Sequence, residues 1–348
     1  MPISVIVGGQ FGSEGKGKVA YEIAKREKVK FAIRVGGTNS GHTVVTDTGQ
    51  VLILRQLPTP VLLPGVVALL PAGSYIKLDV LLEEIRSLAI TPKQLRIHPN
   101  ACVLTGAHAA SETKCNLFTR LGSTESGVGA ALLERIARTG EATFARDCVE
   151  LSPYVEDYTH HLRGRLQAQE RVLIEGTQGF GLSLLHSPHY PFVTSRDTTA
   201  ASFLSEAGLS PLDVDDVVLV IRAFPIRVSG NSGPLPNEIT WDVVQAECNS
   251  TTSLIEFTSV TKRVRRVARF DSSIVKLAIA YNNPSRIVLN HVDYIDSRAV
   301  NGAHLSSSAL AFIEGVEREI GRSVTYIGTS NRELHERVSS KNLKVYLA

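Results

Sequence analysis

Two lysines set among glycines are where chemistry is easiest to read in this chain. The run Gly8-Gly9-Gln10-Phe11-Gly12-Ser13-Glu14-Gly15-Lys16-Gly17-Lys18 follows a short apolar stretch and leads into a helical pattern. Glycines let backbone N–H groups close around phosphate oxygens, and a helix N-terminus adds partial positive charge. An ammonium such as that of Lys16 can then reach a phosphoryl group in transfer. The run is therefore read as a phosphate cradle. It is not the common P-loop, because G-x-x-x-x-G-K-[ST] requires Gly where Gln10 stands and Ser or Thr where Gly17 stands. The plain alternative is a strand-to-helix turn whose glycines serve packing alone.

Four further clusters carry residue types that suit a nucleotide ligand. In Gly36-Gly37-Thr38-Asn39-Ser40-Gly41-His42-Thr43 the histidine can act as a general acid or steady charge on an oxygen, and a free carbonyl such as that of Gly41 suits Mg2+. An isolated loop histidine is otherwise a solvated surface group. Gly122-Ser123-Thr124-Glu125-Ser126-Gly127-Val128-Gly129 precedes a helical stretch with Arg135 and Arg138, offering hydroxyls, amides and a guanidinium to a monophosphate, or simply a capped helix start. Glu175-Gly176-Thr177-Gln178-Gly179, with Val193-Thr194-Ser195-Arg196-Asp197-Thr198-Thr199, offers an amide for a base edge and hydroxyls for phosphate, or forms an ordinary turn. In Thr258-Ser259-Val260-Thr261-Lys262-Arg263-Val264-Arg265-Arg266 the cations follow hydroxyls, a pattern for a small dicarboxylate or a polyphosphate. Nucleic acid is disfavoured there because no aromatic ring in the stretch could stack on a base.

The elements that must hold these loops alternate in type. Apolar β-branched runs at 4–7, 31–35, 172–175, 217–221 and 286–290 read as strands, and helical patterns occupy 16–25, 78–88, 130–138, 158–169, 263–281 and 307–320. Runs apolar on both faces belong to a covered sheet. The expected fold is α/β, a central mostly parallel sheet with helices on both faces, and its ligand loops follow the strands. No repeat or Ser/Gly-rich linker divides the chain, so residues 1–348 are read as one domain with long functional loops.

Composition narrows the classes. The 37 Lys+Arg against 34 Asp+Glu leave a net charge of +3, too small to imply a nucleic-acid or membrane partner. The 4 Cys lack C-x-x-C spacing and read as reduced thiols. No basic segment followed by a long apolar one opens the sequence, and no apolar run reaches the roughly 18 residues of a spanning helix. A cytoplasmic placement is expected.

Taken in order, the clusters G-x-x-x-x-E-G-K-G-K, N-x-G-H-T, E-G-x-Q-G, V-T-S-x-x-T-T and T-x-R-x-R-R resemble those of the adenylosuccinate synthetases, from Ser4 to about Arg332. The resemblance implies a fold related to the P-loop NTPases and a homodimer. It also implies a reaction in which a nucleoside triphosphate with Mg2+ phosphorylates the 6-oxygen of a purine monophosphate and the amine of L-aspartate displaces that phosphate. Carried over by residue, Ser13, Lys16, His42 and Gln178 would be catalytic, with His42 the acid that assists at the 6-oxygen. Gly12, Ser13, Glu14, Gly15, Lys16, Gly17 and Lys18 would cradle the donor with Gly41, His42, Thr43, Asn290, Asp293 and Gly328, and Ser13 and the Gly41 carbonyl would face the metal. Asn39, Ser123, Thr124, Gln178, Thr194 and Val228 would hold the purine monophosphate beside Ser13, with Arg138 reaching the neighbouring subunit's substrate. Ser259, Val260, Thr261, Arg263 and Arg265 would hold the aspartate.

Departures from the family pattern bear on the substrate. Ser13 stands where the ordinary G-D-E-G-K-G-K has an Asp, which in the family takes the N1 proton of inosinate and ligates Mg2+. A serine cannot be an anionic base, but it frees volume and removes charge beside C2 of the purine, so a 2-amino group can enter. In this the chain is similar to the family's phage branch, the 2-aminoadenylosuccinate synthetases, which join aspartate to dGMP for 2-aminoadenine DNA. His291 replaces the lysine of the family's guanine-reading Lys-x-Asp while Asp293 is kept, so ATP, dATP or GTP remain open as donor. The expected activity is a ligase joining L-aspartate to C6 of dGMP with cleavage of ATP, in the host cytoplasm if the source is a phage. The alternatives are an ordinary synthetase using IMP and GTP, and a purine sensor or GTPase switch that performs no ligation.

Overall fold

The computed structural model describes residues 2–258, 262–301 and 305–337. Its frame is a nine-stranded sheet in the spatial order His335–Glu336, Tyr326–Ile327, Arg286–Asn290, Val214–Arg222, Ile3–Gly8, Val172–Glu175, Phe31–Arg34, Val67–Leu70 and Leu95–Ile97. All pairings are parallel except that of the edge strand His335–Glu336. The runs expected from the sequence are the contiguous centre of this sheet, and their side chains are buried along almost their whole length, which is why they read as continuous apolar stretches. Edge strands such as the 3-residue Leu95–Ile97 are too short to carry a pattern.

The two faces of the sheet feed separate apolar clusters, as the period of two requires. Ile3, Val5, Val7, Leu219, Ile221, Val172 and Ile174 face one way and pack with helices Thr159–Gln167, Ala200–Ala207, Ser272–Asn282 and Ser307–Ile320. Ile6, Leu173, Val218 and Val220 face the other way, against Val19, Ala20, Ile23 and Ala24 of helix Lys16–Arg26. The helix expected over 263–281 is corrected: it spans Ser272–Asn282, and Arg266–Ala268 is a strand of a small antiparallel sheet with Ile226–Arg227 and Glu238–Ile239. Asp271 explains the late start, because its side chain accepts the Ser273 N–H at 2.8 Å from extended backbone and caps the helix there. Among the described residues no helix is long and apolar enough to cross a membrane.

The first strand, Ile3–Gly8, runs between Val172–Glu175 and Val214–Arg222, so the loop that follows it opens at the carboxyl edge near the middle of the sheet. Phe203 is 1% exposed in the larger cluster. Phe203→Ala is expected to lower unfolding free energy by about 3–5 kcal/mol. Leu212→Ala, at a side chain 79% exposed, should stay within about 0.5 kcal/mol; urea denaturation followed by circular dichroism checks both.

Candidate active site

The glycine-rich loop is held open by an internal anion. Glu14 is fully buried; its Oε1 accepts the N–H groups of Gln10 at 3.1 Å and Gly12 at 2.8 Å, and its Oε2 takes the Lys16 ammonium at 2.5 Å. Lys16 is thus held in an ion pair inside the loop. Gly12, Ser13 and Gly15 have positive φ, and Gly15 precedes helix Lys16–Arg26 with no side chain capping the helix N–H groups. Those donors remain for an anion.

Other loops close on this one so tightly that side chains are excluded. A Cβ at Gly8 would lie 2.6 Å from the Gln178 carbonyl oxygen, at Gly179 2.2 Å from Glu14 Oε1, and at Gly15 2.7 Å from Asn290 Nδ2. At Gly17 it would lie 2.7 Å from His42 Cβ and 3.1 Å from the Thr43 carbonyl. The expected cradle residues are therefore brought together, with Gly41, His42, Thr43 and Gln178 beside Gly12 to Lys18. Lys18 has a structural duty: its ammonium donates to the carbonyls of Ser330 at 2.7 Å and Glu333 at 3.3 Å, tying down the loop after Gly328. Burial lowers the Lys18 pKa to about 8.

His42 is built into the interior. Its Nδ1 meets Glu175 Oε1, and the same oxygen accepts Arg34 Nη1 at 3.1 Å, while Oε2 accepts the Thr59 N–H at 2.7 Å and the Thr59 hydroxyl at 2.9 Å. Burial alone would raise the Glu175 carboxyl, but His42, Arg34 and the Thr59 amide outweigh it and bring it below its ordinary value. Burial, then Arg34, then Lys16 push His42 down to about 4 against the pull of Glu175. At neutral pH the carboxylate is anionic and the ring neutral, so the ring hydrogen sits on Nδ1 and Nε2 carries a lone pair. Sequence reasoning saw Glu175 only as the first letter of E-G-x-Q-G; its signal was a carboxylate ending an otherwise apolar buried strand.

The loops expected to take the purine monophosphate converge as well. Gly37 packs on Val128, with a Cβ there only 2.5 Å from Val128 Cγ2, which brings the Asn39 loop against the Gly122–Gly129 segment. A Cβ at Gly129 would lie 3.4 Å from Ser195 Cβ and one at Gly122 3.4 Å from Val228 Cγ2, so Ser123, Thr124, Thr194 and Val228 belong to neighbouring segments. The buried hydroxyls of Thr38 and Ser40 have no partner. Arg138 stands apart: it is exposed, with φ 56°, at the end of helix Val128–Ala137.

The two arginines expected for aspartate diverge. Arg265 Nη1 donates to Ser13 Oγ, whereas Arg263 lies over the Phe118 ring with its Cζ 4.3 Å from the centroid. Ser259, Val260 and Thr261 lie outside the described residues. On the donor side a Cβ at Gly328 would fall 1.9 Å from Asn290 Oδ1 and 2.5 Å from Lys18 Nζ, so these residues are in contact. Asn290 Oδ1 and Asp293 Oδ1 are buried acceptors without a donor, and burial raises Asp293 to about 6. An exocyclic amino group is the chemistry that would satisfy them.

No carboxylate-built Mg2+ site stands beside the cradle among the described residues, which leaves the Gly41 carbonyl as the protein group expected to face the metal. Ser13 Oγ already accepts a guanidinium N–H, the adjacent Glu14 is committed to Lys16 and two amides, and no group of three His, Cys, Asp or Glu among the described residues could hold a metal. A cation beside Ser13 would also face Arg265.

An α/β sheet with an anion cradle at its carboxyl edge, a buried histidine–carboxylate pair beside it and unsatisfied acceptors for a base defines a nucleotide-dependent enzyme. The adenylosuccinate synthetase family profile matches residues 5–145 and 142–300. The adenylosuccinate synthetase of Methanococcus vannielii is 35% identical over 351 residues, covering 98% of this chain and 100% of that protein. That of Thermococcus onnurineus is 34% identical over 336 residues, covering 94% and 96%. Among solved structures, the cyanophage S-2L succinoaminodeoxyadenylate synthetase bound to dGMP and dATP as an energy donor superposes with a TM-score of 0.81 at 28% identity, covering 99% of this chain and 97% of that one. Fully ligated adenylosuccinate synthetase from Plasmodium falciparum shares the fold, with a TM-score of 0.83 at 19% identity and coverage of 97% and 100%. The chain belongs to the adenylosuccinate synthetase family and is a C–N bond-forming ligase.

The depressed His42 value has a consequence for stability. Unfolded, His42 binds a proton below its ordinary 6.5, whereas folded it stays neutral down to about 4. The unfolded state therefore gains protons first, and the His42 contribution favours folding above that window and is lost as pH falls through it. The stability difference between wild type and His42→Asn should shrink by about 1 kcal/mol between pH 7 and pH 5.5. Asp293, raised and so opposite in sign, is common to both proteins and cancels; urea midpoints at the two pH values measure the change.

Proposed function

We propose that this ligase joins L-aspartate to C6 of dGMP, with cleavage of ATP or dATP, to give 2-amino-2'-deoxy-N6-succinyladenylate. The observation that carries the reading is Ser13, a small neutral residue inside the cradle where the larger side chain of an aspartate would crowd a 2-amino group. Its left-handed φ of 57° and its hydrogen bonds to two arginines fix it in that place. The likeness to a succinoaminodeoxyadenylate synthetase bound to dGMP and dATP supports it. The identity of about one third to archaeal adenylosuccinate synthetases favours a second reading, in which IMP is the substrate and GTP the donor.

In the first reading the loop amides and Lys16 stabilise the transferring phosphoryl group by position and charge. His42 faces the 6-oxygen side with Nε2, because Nδ1 is held by Glu175. It accepts the proton the purine must lose as O6 forms its bond to the γ-phosphorus and the bond to the nucleoside diphosphate breaks. The resulting imidazolium, compensated by Glu175, then gives its proton to the departing 6-phosphate as the aspartate nitrogen bonds to C6, and the proton shed by that nitrogen passes to water. In this proposal His42 acts as a base before it acts as the acid that the resemblance implies, and so takes the part that Ser13 cannot. Arg265 receives an aspartate carboxylate, and Asn290 and Asp293 the base of the donor. Mg2+ brought with the triphosphate would neutralise charge on its oxygens, and the Gly41 carbonyl is the protein group that would help to hold it. Arg138, exposed at a helix end, reaches a second copy's substrate in a cytoplasmic homodimer.

Equal concentrations of dGMP and IMP, with aspartate and ATP, should give mainly the dGMP adduct by mass spectrometry; a predominant IMP adduct selects the second reading. His42→Asn should lose on the order of a hundredfold or more in kcat, since one positioned group of this kind is worth about 3 kcal/mol. Wild-type turnover in that variant would remove His42 from the mechanism.

A further inference from the structure

We propose that Ser13 also sets the affinity for the incoming amino acid, because its neutrality leaves the Arg265 guanidinium without an ion-pair partner in contact. The inference rests on the reading of Arg265 as a contact for the aspartate carboxylate. Two guanidinium groups reach Ser13. Arg222, fully buried, donates from Nη1 to the Ser13 carbonyl at 2.9 Å, and Arg265 donates from Nη1 to the Ser13 hydroxyl. One carboxylate among the described residues is in ion-pair contact with them. Glu256 pairs with Arg222 Nη2 through Oε1, accepts Arg222 Nη1 on Oε2 at 3.3 Å, and takes the Tyr294 hydroxyl at 3.1 Å.

Arg265 donates its amide N–H to the Glu256 carbonyl at 2.9 Å and its Nε to the Phe257 carbonyl at 3.0 Å; its guanidinium feels the Glu256 and Glu14 charges at longer range, without an ion pair. Among the described residues no carboxylate stands at ion-pair distance from Arg265, while Arg222 has its own. A hydroxyl accepts the Arg265 hydrogen bond without neutralising it, so the half-buried positive charge is available to a ligand carboxylate. A carboxylate in place of Ser13 would accept the same N–H as an ion pair, and the substrate would have to compete with it. Position 13 has a φ of 57°, a conformation that Asn and Asp adopt more readily than other side-chain-bearing residues. Either can be placed there with the loop backbone retained.

The test compares Ser13→Asn with Ser13→Asp, which match in size and differ in charge, by steady-state assay of adduct formation from dGMP, L-aspartate and ATP. Crowding of the purine acts on both variants, so the KM for dGMP should change alike. The KM for L-aspartate should be about tenfold higher in Ser13→Asp than in Ser13→Asn, the size of one charge-assisted contact. In an Arg265→Gln background the two should give the same aspartate KM. Equal aspartate KM values for Asn and Asp with Arg265 present overturn the inference. Should Ser13→Asp fail to fold, Arg265→Lys and Arg265→Gln decide: a larger aspartate KM only in the neutral variant supports the role of charge, and equal losses overturn it. A wild-type protein that makes no adduct from aspartate overturns the underlying reading of the reaction instead.

Discussion

A carboxylate shut away from water holds the reactive end of this molecule together. Glu175 ends a central strand, and its two oxygens accept Arg34, His42 and the backbone and hydroxyl of Thr59. An isolated buried anion is too costly to keep, so this one exists only because donors from three separate segments surround it. The dependence runs both ways. Arg34 Nη2 also holds the Ser40 carbonyl at 3.0 Å, and the Thr59 hydroxyl also reaches the Gly17 carbonyl at 2.8 Å, so the histidine loop and the phosphate loop are located by the groups that satisfy Glu175.

The same economy of charge governs the rest of the site. Glu14 keeps Lys16 paired before any phosphate arrives, and Glu256 keeps Arg222 paired. Burial by itself raises the Glu256 carboxyl, but Arg222 outweighs it and brings it to about 2. Arg265 has no such contact partner among the described residues; burial and Arg222 lower its pKa, and the more distant Glu256 and Glu14 offset only part of that. A family built around anionic substrates thus meets them with cations of two kinds, some already paired and one in reserve. The missing carboxylate at position 13 changes the balance as well as the shape of the cavity.

Much of the reacting machinery was legible in the chain because it is made of local runs. A strand, a glycine-rich turn and a helix follow one another from Ile3 to Arg26, so the phosphate cradle is a property of neighbouring residues. The central strands were legible because burial on both faces demands unbroken apolar residues. What could not be read were pairings over long separations. Arg265 meets Ser13 across 252 positions and His42 meets Glu175 across 133, and nothing in either neighbourhood announces the other.

The sequence by itself determined the family, the order of the ligand loops and the absence of an anionic base at position 13, since residue type and local spacing suffice for each. Tertiary structure decided which nitrogen of His42 is held by Glu175, which arginine of the 262–266 stretch reaches the cradle, and where the helix after that stretch begins. Those outcomes depend on which donors and acceptors are left together once water is excluded. That selection is made by the packing of the sheet and its loops, and only the folded chain carries it out.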